Sequence, residues 1–264
     1  MSAKWDFPVV KKPITEEIVL EDGSYIAPPR NRYVIYNEET QKSFAIVSGR
    51  YQLIPHRTVI EAARDIIGKN AREEIIRVEK SGARTSVYFS LWRFDASGGE
   101  VGDTVDMGIR IMNSYDGLSS LTIELAGKRL VCRNGMTVPA RGTYSYHRAH
   151  VGQFDEQEFK KALEVSIEKV MGKITEVRGV FEAAFNETYE RDYVKKLLEG
   201  LDLPAMYKHQ TWKHLMEKDE RDAFSRWEVY NALTNAISHH NTDKSVVTKG
   251  KYEREAYSVL YGEN

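Results

Sequence analysis

The hydrophobic repeat changes period once along this chain, and that change bounds the folds open to it. Before residue 150 apolar residues recur at every second position. Val87, Phe89 and Leu91 alternate with Tyr88, Ser90 and Trp92; Val105, Met107, Ile109 and Ile111 form the next such run, and Leu121, Ile123 and Leu125 the one after. Strand side chains point alternately to opposite faces, so this period builds a sheet with one buried face. The connections Ser81-Gly82 and Asn113-Ser114-Tyr115-Asp116-Gly117 are short and polar, which suits antiparallel neighbours. Near Phe154 the spacing becomes helical. Leu163, Ile167, Val170, Ile174, Val177, Phe181 and Ala184 follow one another by alternating steps of four and three, a heptad seam.

The expectation is an α+β fold: a twisted, mainly antiparallel sheet with one early helix, followed by a helical C-terminal region. Arg32–Tyr36 and Ser43–Val47 read as a hairpin, and the early helix runs from a cap at Thr58 to a stop at Gly68. Asp155, with Glu158 three residues on, reads as the start of the long helix. Further helices are expected at 189–199, around 207–218 and at 224–238. Residues 1–15, with Pro8 and Pro13, read as an arm. The units expected are a sheet-rich core over 1–150, a helical region over 151–240 and a polar tail over 241–264. The helical region either packs on the core or forms subunit contacts. Gly172 and Gly179, seven apart, would admit a second backbone, so a homo-oligomer is expected.

With 264 residues and 41% apolar residues the chain can bury a sizeable core. No apolar run reaches the roughly eighteen residues that a membrane helix needs, so no membrane partner is expected. A single cysteine, Cys132, excludes an intrachain disulfide and a cysteine-rich zinc site; this favours a cytoplasmic setting. No Walker-type phosphate loop and no Gly-x-Ser-x-Gly elbow occurs. Cys132 follows Leu130-Val131 in a strand-like run and reads as a small buried residue. His147 and His150 lack a third ligand at metal spacing, and Asp103, Asp106 and Asp116 lack a partnered lysine. The reading is a protein that is not an enzyme and needs no cofactor or metal.

Charge is unevenly distributed. Residues 1–150 hold 21 Lys and Arg against 18 Asp and Glu, a net of +3; residues 151–264 hold 17 against 21, a net of −4. Between Glu124 and Asp155 there is no acid, yet Lys128, Arg129, Arg133, Arg141 and Arg148 lie there with His147 and His150. Such an interval is a candidate polyanion contact; the alternative is a basic loop neutralised by acids from elsewhere in the fold. Arg141-Gly142-Thr143-Tyr144-Ser145-Tyr146-His147-Arg148 interleaves cations with tyrosines, as single-strand binders do when bases stack on Tyr rings. Tyr144 and Tyr146 could equally cap the edge of the core. The candidate nucleic-acid-binding set is Arg110, Lys128, Arg129, Arg133, Arg141, Tyr144, Tyr146, His147 and Arg148.

Four stretches, taken together, resemble the domain of unknown function 932 family. They are Ala45-Ile46-Val47-Ser48-Gly49-Arg50-Tyr51 with Ile54-Pro55; Asn113-Ser114-Tyr115-Asp116-Gly117; Val131-Cys132-Arg133-Asn134-Gly135-Met136 with His147-Arg148; and Trp227-Glu228-Val229-Tyr230-Asn231-Ala232-Leu233-Thr234 with His239. The resemblance implies a gene of phages, plasmids or prophages, and hence a bacterial cytoplasm. The layout of a sheet followed by helices is also similar to that of phage annealing proteins of the lambda Red beta and eukaryotic Rad types, which hold single-stranded DNA in a basic groove. The resulting expectation is a single-stranded DNA-binding protein acting in strand annealing, recombination or replication. The alternative is a non-enzymatic interaction protein modulating a host or defence process.

Overall fold

Strand follows strand through the first half of the chain. β1 (Val9–Pro13), β2 (Ile18–Val19), β3 (Tyr25–Ile26), β4 (Arg32–Asn37) and β5 (Ser43–Ser48) precede α1 (His56–Ile67). Then come β6 (Glu73–Glu79), β7 (Arg84–Asp95), β8 (Thr104–Ser114), β9 (Leu121–Arg129), β10 (Gly135–Thr137) and β11 (Tyr146–Arg148). The second half holds α2 (Glu156–Asn186), β12 (Thr188–Glu190), α3 (Arg191–Gly200), α4 (Ala205–Lys218), β13 (Ala223–Ser225), α5 (Arg226–His239) and α6 (Val246–Tyr261). The computed structural model describes residues 5–15, 18–19, 21, 25–26, 30–95, 104–129, 135–137, 146–218, 221–240 and 246–261.

β6, β7, β8 and β9 form an antiparallel meander, and β10 and β11 both pair with the far edge of β9. The period-two residues build its inner face. Val87, Phe89, Ile109, Ile111, Leu121 and Ile123 are buried against Val59, Ile60 and Ala63 of α1 and Phe159 and Leu163 of α2. One irregularity corrects the simple alternation. The register shifts between Ser90 and Trp92, so Trp92 pairs with Met107 and Phe94 with Val105. Trp92 thus leaves the outer series and joins the core, as a bulge re-aims every side chain beyond it. Gly108 sits opposite Ser90 beside the shift. A Cβ there would lie 1.8 Å from the Phe89 carbonyl oxygen, so the backbones approach too closely for any other residue.

The proline-bearing arm is partly a strand: β1 runs antiparallel to β4, and Lys11 Nζ donates to the carbonyls of Gly49 (2.9 Å) and Tyr51 (2.6 Å). The expected hairpin is β4–β5. α1 begins at His56, two residues before the expected cap at Thr58, because its first amide is capped from a distant segment described below.

α2 starts where Asp155 accepts from the amides of Gln157 and Glu158. Leu163, Ile167, Val177, Phe181 and Ala184 of its heptad seam pack within the chain. Leu163 packs on the α1 side, while Val177, Phe181 and Ala184 enter a second core with α3–α6. These residues take the first of the two roles expected for the helical region, packing on the chain's own core. Gly172 and Gly179 have no atom within 4 Å of an added Cβ, so neither serves a close backbone approach in this chain.

Phe181 anchors the second core. Its ring meets Trp227 edge-on at 5.2 Å and Tyr257 at 6.2 Å, with Phe94 at 5.7 Å. Tyr257 belongs to α6, and so does the second correction. Residues 246–261 are a helix with Ala256, Tyr257, Val259 and Leu260 buried, not part of a polar tail. Polar residues mask its apolar face in sequence, and one of them, Glu253, is itself buried. Arg226 locks the assembly: its guanidinium donates to the Leu260 carbonyl at 3.0 Å and pairs with Glu187. Among the described residues no helix is long and apolar enough to cross a membrane.

Candidate functional site

The described strands of the acid-free interval lie along one edge. β10 takes its register on Ala126–Lys128 and β11 on Leu121–Ile123, so β9, β10 and β11 share the border of the sheet opposite β6. Consecutive strand residues alternate in face. In the β8–β9 register Lys128 stands opposite Asp106 and Arg129 opposite Val105. His147, opposite Thr122, is exposed on the outer side, with its Nδ1 3.3 Å from the Thr122 hydroxyl.

Three members of the candidate set do not form the expected groove. Arg110 lies on the outer face with its side chain 11% exposed, donates to Glu124 at 2.6 Å and faces Glu253 at 3.7 Å. Burial disfavours its charge, but Glu124 and Glu253 outweigh that and leave its pKa raised. Tyr146 is half-buried, with its ring 6.0 Å from Phe159, so it caps the core edge. Arg148 donates to the Gln153 carbonyl, lies over the Phe154 ring at 5.9 Å and sits 3.9 Å from Glu158. All three are held by internal partners because strand parity and neighbouring acids are set by long-range pairing. Arg133, Arg141 and Tyr144, like Cys132, lie outside the described residues.

The acids nearest this edge are already matched. Asp106, fully buried, receives a two-pronged pair from Arg93 at 2.7 and 3.1 Å. Glu124 is shared by Arg110 and Arg254, the latter at 3.6 Å. A row that is polar except at Met112 also crosses the outer face by register, from Arg77 through Ser86, Met112 and Thr122 to His147. Its two ends, Arg77 and His147, are exposed. Arg77 escaped the sequence reading, although polar residues at alternate strand positions signalled such a face.

The motif residues converge elsewhere, at the end of β8. Asn113 Nδ2 donates to the Ile54 carbonyl (2.9 Å) and to His56 Nδ1 (2.9 Å). His56 Nε2 lies 3.0 Å from the Gly82 carbonyl, which can only accept, so the proton sits on Nε2. Burial pushes the pKa of His56 down to about 4, against the pull of the Gly82 carbonyl and with a small contribution from His150. The Tyr115 hydroxyl accepts from the His56 amide at 2.6 Å, and its ring stacks on the imidazole at 3.8 Å. A tyrosine 59 residues away thus satisfies the first orphan amide of α1.

Tyr51 stacks on His150 at 5.0 Å with rings 2° from parallel, and its hydroxyl donates to the Ser114 carbonyl at 3.1 Å. Burial, opposed by the Gln52 carbonyl and helped by the nearby Arg148 charge, lowers the pKa of His150. Asp116 accepts from the Leu118 amide (3.1 Å) and from Arg84 Nε (2.6 Å). Burial would raise its pKa, but these donors and Lys80 hold it below the usual carboxylate value. Each side chain is committed to another segment: the cluster locks the hairpin, α1 and the β8–β9 turn together. Asn113 and Asp116 are more than local turn formers. Among the described residues no group of three or more His, Cys, Asp or Glu is placed to hold a metal.

Fold and site define an α+β protein with an antiparallel meander, a motif-built lock at one end and a basic border at β9. The family model described as a domain of unknown function (DUF932) matches residues 43–258, and the chain belongs to this family. No curated protein and no solved structure matches it.

Proposed function

We propose that this protein binds single-stranded DNA along the β9–β10–β11 border and brings complementary strands together in recombination or replication. The observation that carries the reading is charge compensation: the acids beside the border, Asp106 and Glu124, are taken up by Arg93, Arg110 and Arg254. Both carboxylates thus have cationic partners that lie outside the acid-free interval. Phosphate contacts from Lys128, Arg129 and the cations beyond β9 would supply affinity that is independent of sequence. Arg77 and His147 mark where a strand could cross the outer face. Annealing needs no nucleotide or cofactor in this scheme, because pairing is downhill once strands are held extended. The phage or plasmid setting belongs to the same proposal.

The test is fluorescence anisotropy with labelled oligonucleotides of mixed sequence, single-stranded and duplex, in low salt. Tighter binding of single strands, followed by faster pairing of complementary strands, is the expected result. Equal affinity for the two forms, or none for either, would overturn the reading in favour of a protein partner.

A further inference from the structure

The β1–β4–β5 sheet has a second face that its own core leaves open. Tyr33, Ile35, Ala45 and Val47 turn inward against Tyr115 and Phe7. Strand alternation sends the residues between them to the opposite side. There Lys12, Val34 and Ile46 stand in one row by register, with Arg32 at one end of β4 and Tyr36 towards the other. Lys12 and Arg32 are exposed, Val34 and Tyr36 are half-buried, and Ile46 is 65% exposed. Lys12 Nζ lies 5.4 Å from the centre of the Tyr36 ring, which puts the two on one side.

The composition of this face selects its partner. It carries the cations Lys12 and Arg32 and no acid; Glu38 and Glu39 belong to the β4–β5 turn, and Glu38 adds only a minor pull on Lys12. Among the described residues neither Lys12 nor Arg32 forms an ion pair. Unmatched cations stand here beside a ring and two aliphatic side chains that are left partly in water. A single nucleic-acid strand matches both, with phosphates for the cations and flat bases for the ring and the aliphatic groups. A duplex keeps its bases stacked inside and could use the cations alone.

The position of the sheet agrees. β11 runs on into His150, whose carbonyl accepts from the Gln52 amide at 2.8 Å, and Val151, which bridges to Tyr51. Tyr51 and Gln52 follow closely on β5, at the end where Ser48 pairs with Arg32. The backbone thus joins the Arg32 end of this sheet to the β11 end of the basic border.

We propose that the open face of the β1–β4–β5 sheet is a second contact for single-stranded DNA, with bases against Tyr36, Val34 and Ile46 and phosphates against Lys12 and Arg32. The inference rests on the reading of the β9 border as a DNA site and extends the strand held there. Anisotropy titrations of the full chain with a labelled single strand test it. Replacing Lys12 and Arg32 together with alanine should flatten the slope of log K against log salt by about 1.4. Tyr36→Leu should weaken binding by about tenfold or more and leave the slope unchanged. Lys42→Ala is the control on the same hairpin, because Lys42 Nζ donates to Ser81 Oγ at 2.8 Å; it should change neither. Lys12 and Arg32 are exposed, so the double variant should keep the circular dichroism of the parent. A direct readout needs no variant: a strand carrying 5-bromouracil, cross-linked by ultraviolet light, should mark the tryptic peptide that contains Tyr36. If the parent binds single strands and replacing Lys128 and Arg129 weakens them, while the variants of this face bind as the parent does and Tyr36 is not marked, the inference is overturned and the border stands. Lys42→Ala flattening the slope as much as the double variant would also overturn it, since the effect would then be one of net charge. A parent that binds no single strand would overturn the reading of the border, and this inference with it.

Discussion

Arg110 Nε donates to Glu124 Oε1 at 2.6 Å across the β8–β9 pair, and Glu253 of α6 stands 3.7 Å from the same guanidinium. One arginine therefore holds two buried carboxylates and ties the last helix to the outer face of the sheet. Arg110→Ala would leave Glu124, among the described residues, with the more distant Arg254 and would remove the cation it shares with Glu253. Breaking such a buried pair costs about 3–5 kcal/mol. Urea melts should show that loss as a lower midpoint at unchanged slope, while the salt dependence of oligonucleotide binding stays as in the parent.

Phe181 provides the corresponding test of the seam on α2. Phe181→Ala should destabilise the chain by about 3–5 kcal/mol through the cavity it leaves among large rings. Since the seam faces the protein's own core, the melting midpoint of both parent and variant should be independent of protein concentration. A midpoint that rises with concentration would favour subunit contacts instead.

What the sequence revealed, and what it hid, divides along the range of the interactions. The period-two runs of β7, β8 and β9 and the cap at Asp155 are local signals, and all appear where they were read. The shift at Trp92 was invisible because it depends on Gly108 in the neighbouring strand. α6 was missed because Glu253 makes its buried face look polar until Arg110, more than a hundred residues earlier, is brought to it. His56 drew no notice as a lone histidine; its role exists only once Asn113, Tyr115 and Gly82 surround it. For the site, the sequence located the acid-free interval, but it could not assign strand faces. Parity turned Tyr146 and Arg148 inward and left His147 exposed.

His56 makes stability depend on pH in a defined direction. Its folded-state pKa is lowered from 6.5 to about 4, so the unfolded chain takes up the proton first. The contribution is complete above about pH 6.5 and drains away as pH falls towards about 4, a span worth roughly 3 kcal/mol. His150, lowered by burial as well, acts in the same sense. Denaturant melts from neutral pH down to mildly acidic pH should show the decline, and His56→Gln should flatten it while lowering stability at neutral pH. A variant whose decline matches the parent would show that the imidazole at position 56 is not the group that titrates.

The border of β9 makes the most specific demand on the proposed function. Lys128 and Arg129 are consecutive at the end of β9, in register with Asp106 and Val105. On single strands each phosphate neutralised contributes about −0.7 to the slope of log K against log salt. Replacing both residues with alanine should therefore flatten the slope by about 1.4 and weaken all sequences alike. Arg148→Ala serves as the control, since Gln153, Glu158 and Phe154 already hold that guanidinium; it should leave the slope as it is. A double variant with the parental slope would remove Lys128 and Arg129 from the interface, and a control that flattens as much as the double variant would move the path to the β11 end of the border.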